Sequence, residues 1–259
     1  MKPARPEYGH LELMAVVFAR DLQDGEVGVA AYFPALFAAC LLAQKMHAPN
    51  LTFWSPSTFI NPKPRQLYGT ANDYRTLRGA DAITDFYDIF EYSERGVDFF
   101  FYSGVQIDQF GNCNLHYVGG DLHRPKFRAT GIANISHAVM DKKFYLYATA
   151  HTTRLFVPRV DFVSVPGFLD GPGARERLGM PGGGPRLCVT PLAVMDFDPE
   201  TKRMRLRSVH EWVTLDEVVA NTGFELLVPD AVPPTPPPTP AELAILRTEV
   251  DPTGVLRAP

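Results

Sequence analysis

Serines, histidines and carboxylates are the side chains of this chain that could make or break a bond, and few of them fall in a pattern. Ser55 and Ser57 flank Pro56 just after the apolar run Leu51-Thr52-Phe53-Trp54. A nucleophilic serine needs a glycine-framed elbow, with a histidine and an acid brought to it by the fold; here the frame is proline. The seven histidines are His10, His47, His116, His123, His137, His151 and His210. No two of them share a short helical spacing together with a carboxylate, which argues against a metal site. His116 and His123 keep interest because they border the stretch Ser103-Gly104-Val105-Gln106-Ile107-Asp108-Gln109-Phe110-Gly111-Asn112. An apolar strand, Val97 to Tyr102, opens into this glycine-punctuated polar turn. Open α/β sheets present their ligand-binding edge in that way. Gly167–Gly173 and Gly182–Gly184 have neither the P-loop nor the dinucleotide spacing and read as tight turns.

The elements that must position these residues alternate. Residues 9–24 carry Leu11, Met14, Ala15, Phe18, Ala19 and Leu22 on one helical face, stopped by Gly25. Glu26 to Ala31 reads as a buried strand, Phe33 to Met46 as a helix and Leu51 to Trp54 as a strand. A long polar loop follows to about Asn72, of the length that functional loops take. Asp85 to Arg95 is a helix ended by Gly96, and Asp98 to Tyr102 is the next strand. Further strands are expected at Phe144–Ala148, Val160–Val165, Arg186–Thr190 and Ala193–Phe197, the last forming a hairpin with Met204–Val209. Leu215–Ala220 is a short helix. The fold class is α/β: an open, mostly parallel sheet flanked by helices in three layers, with the added β-hairpin. Residues 1–231 form the α/β domain. Residues 232–259 form a proline-rich polyproline strap, Val232 to Pro240, that carries a helix, Ala241–Val250, onto the body.

Composition narrows the classes of function. The 259 residues are 46% hydrophobic, enough to bury roughly three quarters of the unfolded surface. Acidic residues outnumber basic ones, 29 to 25, and no Lys/Arg-rich run occurs, so neither nucleic acid nor an anionic membrane is the expected partner. Cys40, Cys113 and Cys188 lie far apart in apolar surroundings and read as buried free thiols of a reducing compartment. The N-terminus has no apolar signal segment, and the longest apolar run, Ala30 to Ala43, is too short to span a bilayer. A cytoplasmic protein is expected.

Read as whole phrases, Gly104-Val105-Gln106-Ile107-Asp108-Gln109-Phe110-Gly111-Asn112 resembles the small-Gln-Ile-Asp-x-x-Gly-Asn signature of the family I coenzyme A transferases. Arg124-Pro125-Lys126, Gly131-Ile132-Ala133-Asn134 and the run Val165 to Gly179 are similar to segments of β-type subunits in the glutaconate CoA-transferase branch. So are Phe197 to Met204 and Glu217 to Phe224. The resemblance runs from about residue 8 to Pro252.

The resemblance implies a nucleophilic glutamate on the β-type chain that attacks an acyl-CoA thioester and passes through a glutamyl-CoA thioester. Backbone N–H groups of a glycine-rich loop hold the oxyanion. In this chain the nucleophile phrase reads Ser55-Pro56-Ser57-Thr58, which puts Pro56 at the glutamate position. The oxyanion segment around Gly131 is about two residues shorter than the family's Gly-Ser-Gly-Gly-Ala-Asn form. The expected function is therefore the β-type subunit of a heteromer acting on an acyl-CoA by hydrolytic ring cleavage or decarboxylation. Relatives that lost the glutamate, a steroid ring-cleaving hydrolase and a glutaconyl-CoA-type decarboxylase, set the precedent. Two alternatives stay open: a transferase drawing a carboxylate from elsewhere, such as Glu91, Glu94 or the partner, and a structural subunit without chemistry. The implied substrate-binding residues are Gly104, Val105, Gln106, Asp108, Gly111, Asn112, Gly131, Ile132, Ala133 and Asn134, with the loop 55–61 nearby. The implied partner is an α-type subunit in an α2β2 assembly. No cofactor is expected, since coenzyme A arrives as part of the substrate.

Overall fold

The computed structural model describes residues 7–30, 33–55, 58–70, 73–132 and 135–257. They form an α/β fold with a nine-stranded mixed sheet, parallel at its heart and flanked by helices, as the alternation of elements predicts. The chain divides into two compact units, Pro6–Phe101 with Pro236–Pro259, and Tyr102–Thr235. The break falls at Phe101/Tyr102, and the chain returns to its first unit at Pro236.

In the first unit, α1 (His10–Asp21) and α2 (Pro34–Met46) pack on each other beside the strands. Pro34 sits at the start of α2, where its missing N–H costs nothing. Every residue from Ala35 to Ala43 is buried, so α2 is apolar all round. β1 (Val27–Val29) pairs in parallel with β2 (Thr52–Trp54) on one side and with Phe99 on the other. Gly28 faces Phe99, and a Cβ there would stand 2.5 Å from the ring. The glycine lets the two strands meet.

The long polar loop is more ordered than its composition implies. β3 (Phe59–Ile60) and β4 (Ala82–Ile83) extend the sheet antiparallel from β2. Asn61 turns the chain with φ +46°, its Oδ1 accepting from Phe53 N at 3.0 Å and its Nδ2 donating to Asp81 Oδ2 at 3.1 Å. Helix α3 (Phe86–Ser93) is capped by Asp85, whose carboxylate accepts from Tyr87 N and Asp88 N. β5 (Phe99–Tyr102) is buried on both faces, with Phe18 edge-on to Phe101 at 5.1 Å.

The second unit opens with two short antiparallel pairs. β6 (Gln106–Ile107) pairs with β7 (Cys113–Asn114), and β8 (Tyr117–Gly120) with β9 (Pro125–Arg128). After α4 (Ile135–Met140) come β10 (Lys143–Tyr147), α5 (Ala174–Arg177) and β11 (Pro185–Val189), with β10 and β11 parallel. β12 (Ala193–Phe197) and β13 (Met204–Val209) make the expected hairpin antiparallel to β11, and α6 (Leu215–Ala220) follows. The strand expected at Val160–Val165 does not form. Its pairing is one bridge, Val165 to Cys113, and Asp161 N donates instead to Gln106 Oε1 at 3.0 Å. Flanking Pro158 and Pro166 lack the N–H groups a strand needs.

The C-terminal segment belongs to the first unit. α7 (Pro240–Ile245) is capped by Thr239 and passes into a π-type turn over Leu246–Val250, where one continuous α-helix was expected. The Arg20 guanidinium meets Glu242 through two bonds of 2.7 Å and donates to the Pro236 and Pro237 carbonyls. Arg247 pairs likewise with buried Glu12 at 2.8 and 3.0 Å. Among the described residues no helix is long and apolar enough to cross a membrane.

Candidate functional site

Asp108 organises the Gly104–Asn112 turn. Its Oδ1 accepts from Phe110 N at 3.0 Å and Asn112 N at 3.1 Å, while Oδ2 accepts from Asn112 Nδ2 at 3.0 Å. Asp108 is only 2% exposed, and burial pushes its carboxyl up to about 6 despite these bonds. At neutral pH it is a carboxylate acting as an acceptor within the turn. Asn112 carries the turn outward to a distant loop: its Oδ1 accepts from Gly167 N and Leu169 N, and its Nδ2 donates to the Leu169 carbonyl. Gly167 packs against Gly111 and Phe110 so closely that a Cβ would strike their backbone. Gly104 is equally constrained, since a Cβ there would run into Cys113 Sγ and the Asn114 carbonyl.

Behind this turn stands Arg175. Its guanidinium is buried and donates to five carbonyls: Gly182, Pro166, Gly167, Ala138 and Val139, at 2.8 to 3.2 Å. The last two close the C-terminal end of α4, where a cation is favourable. The five bonds offset the cost of burying the charge and lock the Val165–Gly167 backbone that Asn112 reads.

On the other side of the β6–β7 pair, Gln106 Oε1 accepts from Asn114 Nδ2 at 2.7 Å as well as from Asp161 N. Asp161 Oδ2 in turn accepts from Gly119 N at 2.7 Å. His116 follows. Its Nδ1 lies 2.6 Å from Ser164 Oγ, which also accepts from Leu115 N at 2.7 Å, and its ring packs at a tilt against Phe162, 4.7 Å between centroids. Gly131, at φ +76°, donates its N–H to the Leu115 carbonyl and lies beside the imidazole without a side chain; a Cβ would stand 3.6 Å from Nε2. The turn and Gly131 are thus brought together through Leu115 and His116. Val105 N bonds to the Asn114 carbonyl, and Ile132 is half-buried. Ala133 and Asn134 lie outside the described residues.

Ser55 belongs to the other unit. It ends β2, its N–H donating to the Phe59 carbonyl at 2.8 Å. Its Oγ is buried and has no partner among the described residues, and the same is true of Trp54 Nε1. Pro56 and Ser57 lie outside the described residues. Glu91 and Glu94, the carboxylates weighed as alternative nucleophiles, are exposed at the end of α3. His123 is exposed in a turn held by Asp121. Among the described residues no group of three or more His, Cys, Asp and Glu is placed to hold a metal ion. Asp161, Ser164 and Arg175 were not singled out in the sequence. Arg175 sits inside a phrase that was, but Asp161 and Ser164 were hidden in the expected strand.

The sequence and the fold have relatives among known proteins. Residues 11–221 match the family model described as coenzyme A transferase. A glutaconate CoA-transferase subunit of Acidaminococcus fermentans is 33% identical, over 95% of this chain and 93% of its own. A 3-oxoadipate CoA-transferase subunit of Pseudomonas knackmussii is 31% identical, over 93% and 92%. The cholesterol ring-cleaving hydrolase IpdB subunit of Rhodococcus jostii is 30% identical over 58% of each chain. The crystal structure of the Acidaminococcus fermentans glutaconate coenzyme A-transferase superposes with a TM-score of 0.85, at 31% identity, over 98% of this chain and 99% of that one. That of the decarboxylase AibA/AibB gives 0.83 at 22% identity, over 97% and 98%, a likeness of fold. With the family model matched over most of its length and a relative at one-third identity nearly end to end, this chain belongs to the coenzyme A transferase family.

Proposed function

We propose that this chain is the β-type half of a heteromeric enzyme that cleaves an acyl-CoA substrate by hydrolysis of a C–C bond or by decarboxylation, instead of exchanging coenzyme A through a glutamate of its own. The observation that carries the reading is Pro56. At the position where the family resemblance calls for the nucleophile, this chain has a side chain with neither a nucleophilic atom nor an N–H. The preceding residue, Ser55, is a buried hydroxyl at the end of β2. The one-third identity to subunits of two transferases supports descent more than reaction, because the binding frame outlasts the chemistry built on it. The IpdB relative is a subunit of a hydrolase, which supports the same frame serving a different reaction.

The partner is an α-type subunit, and the substrate carries its own coenzyme A. Gly104, Val105, Gly131 and Ile132 form the edge offered to that substrate, while Gly111 is buried against Phe197 and Pro185 and serves the turn itself. Gln106, Asp108 and Asn112 hold it in shape from within, their polar atoms being engaged by the fold. A transferase using Glu91 or Glu94 is the second reading, favoured by the two transferase relatives and disfavoured by the exposure of both side chains. Co-expression with the neighbouring α-type chain, followed by assay of CoA thioesters for released CO2, ring-opened product or transferred CoA, separates the two. CO2 or a ring-opened product supports the first reading; CoA appearing on an added acid overturns it.

A further inference from the structure

Ser164 fixes the tautomer of His116. The serine hydroxyl is fully buried, with Leu115 N donating to Oγ at 2.7 Å and His116 Nδ1 at 2.6 Å from the same atom. A hydroxyl has one proton to give. If Nδ1 carried the imidazole proton, Oγ would accept twice and its own proton would be buried with no acceptor, at the cost of an unmade bond. If Ser164 donates to Nδ1 instead, every group in the cluster is satisfied, and the imidazole proton sits on Nε2. The ring is held against Phe162, with centroids 4.7 Å apart at a tilt of 50°, and Tyr117 packs on the same phenyl ring at 5.6 Å.

The consequence is an N–H held ready. Nε2 hydrogen-bonds to no described residue, and the backbone beside it is Gly131, whose left-handed φ disfavours any side chain that would cover the nitrogen. We propose that His116 is a catalytic residue: its Nε2–H donates to the carbonyl oxygen of the acyl-CoA substrate at the Gly131 segment and stabilises the negative charge that develops there. This rests on the reading that the chain acts on an acyl-CoA. It gives the segment at Gly131, which the family resemblance makes about two residues shorter than usual, a side-chain donor. Ser164 is the positioning residue.

The test uses the chain assembled with its α-type partner. The turnover probes are glutaconyl-CoA, whose decarboxylation leaves a carbanion conjugated to the thioester, and a CoA thioester carrying a cyclic 1,3-diketone; acetyl-CoA is the binding probe. Nitrogen-15 histidine spectra of the unmutated complex report the tautomer directly. The expected result is a protonated Nε2 and an unprotonated Nδ1 at His116, with Ser164→Ala mixing the two; a protonated Nδ1 overturns the proposal. His116→Phe keeps the ring packing and removes the donor. It is expected to lower kcat about 100- to 1,000-fold with KM within a few-fold, while His116→Gln, which retains an N–H, recovers part of the rate. Equal kcat in His116→Phe and the unmutated complex overturns the proposal. Assembly and melting temperature of each variant are measured alongside, and the tautomer result does not depend on the variants. If neither turnover probe is consumed by the unmutated complex, the acyl-CoA reading is what fails for these thioesters, and the His116 spectrum on adding acetyl-CoA decides the inference: an Nε2 shift upholds it and no shift overturns it.

Discussion

Asp108 gathers three N–H donors within five residues, and two of them are backbone groups of the turn, which is also held by backbone bonds between Asp108 and Asn112 and between Gly111 and Asp108. Asp108→Ala would leave those donors buried without an acceptor, at about 1–3 kcal/mol each if unrelieved. The expected outcome is a loss of at least ~2 kcal/mol, read from urea unfolding of the purified chain, with the β6–β7 region losing amide protection first. Little change would mean that the turn is held by other contacts. The glycines and the Gln106, Asp108 and Asn112 side chains were legible in the sequence as a signature. Their inward roles were not, because the groups they hold lie 55 to 57 residues away along the chain. Only the fold brings Asp161, Gly167 and Leu169 to them.

At the scale of elements, periodicity and apolar runs located the helices α1 and α2, the strands β1, β2 and β5 and the β12–β13 hairpin, because each buries a face that its sequence declares. Elements of two residues, such as β3 and β4, carry no period. The apolar residues of Val160–Val165 pack without a ladder, so composition alone misreads them. The connection between β10 and the strap holds a buried polar network that no pattern announces. His151 bridges Thr190 Oγ1 at 2.8 Å and Thr222 Oγ1 at 3.0 Å, and His210 bridges Thr235 Oγ1 and the Thr190 carbonyl, both at 2.9 Å.

Burial pushes His151 down to about 4, and it does the same to His137. The unfolded chain, with ordinary histidines near 6.5, therefore binds more protons than the folded one. Stability is complete above that value and is lost as pH falls from 6.5 towards 4, by at most on the order of 3 kcal/mol for each histidine. Asp108 acts in the opposite sense. Raised to about 6, it favours the fold at low pH, and that contribution is lost as pH rises from about 4 through 6. Two histidines outweigh one carboxylate, so the urea midpoint is expected to fall between pH 7.5 and pH 4.5. His151→Gln should narrow that difference; an acid-insensitive midpoint would contradict the account.

Over the whole molecule, the C-terminal segment returns to the unit that holds α1 and α2. Glu12 is 1% exposed and relies on Arg247, with Arg257 Nε at 4.0 Å. Removing the main partner strands a buried charge, which costs far more than an exposed pair gains. Arg247→Ala should destabilise by on the order of 2–3 kcal/mol, and the double variant Glu12→Gln/Arg247→Ala by less. A double-mutant cycle by urea unfolding measures the difference, and additive losses would show that the pair is not coupled. The strap was legible from its prolines. Its division between two units was not, because that depends on Arg20 capturing the Pro236 and Pro237 carbonyls while Ser208 and His210 hold Thr235.

The central claim is that this chain serves acyl-CoA chemistry without a covalent step on its own carboxylates. Intact-mass spectrometry of the complex with its α-type partner, quenched with borohydride during turnover of a CoA thioester, tests it most directly. The account predicts that this chain keeps its unmodified mass while product accumulates. A mass shift on this chain from a reduced glutamyl-CoA thioester would contradict it and make the chain a transferase subunit after all.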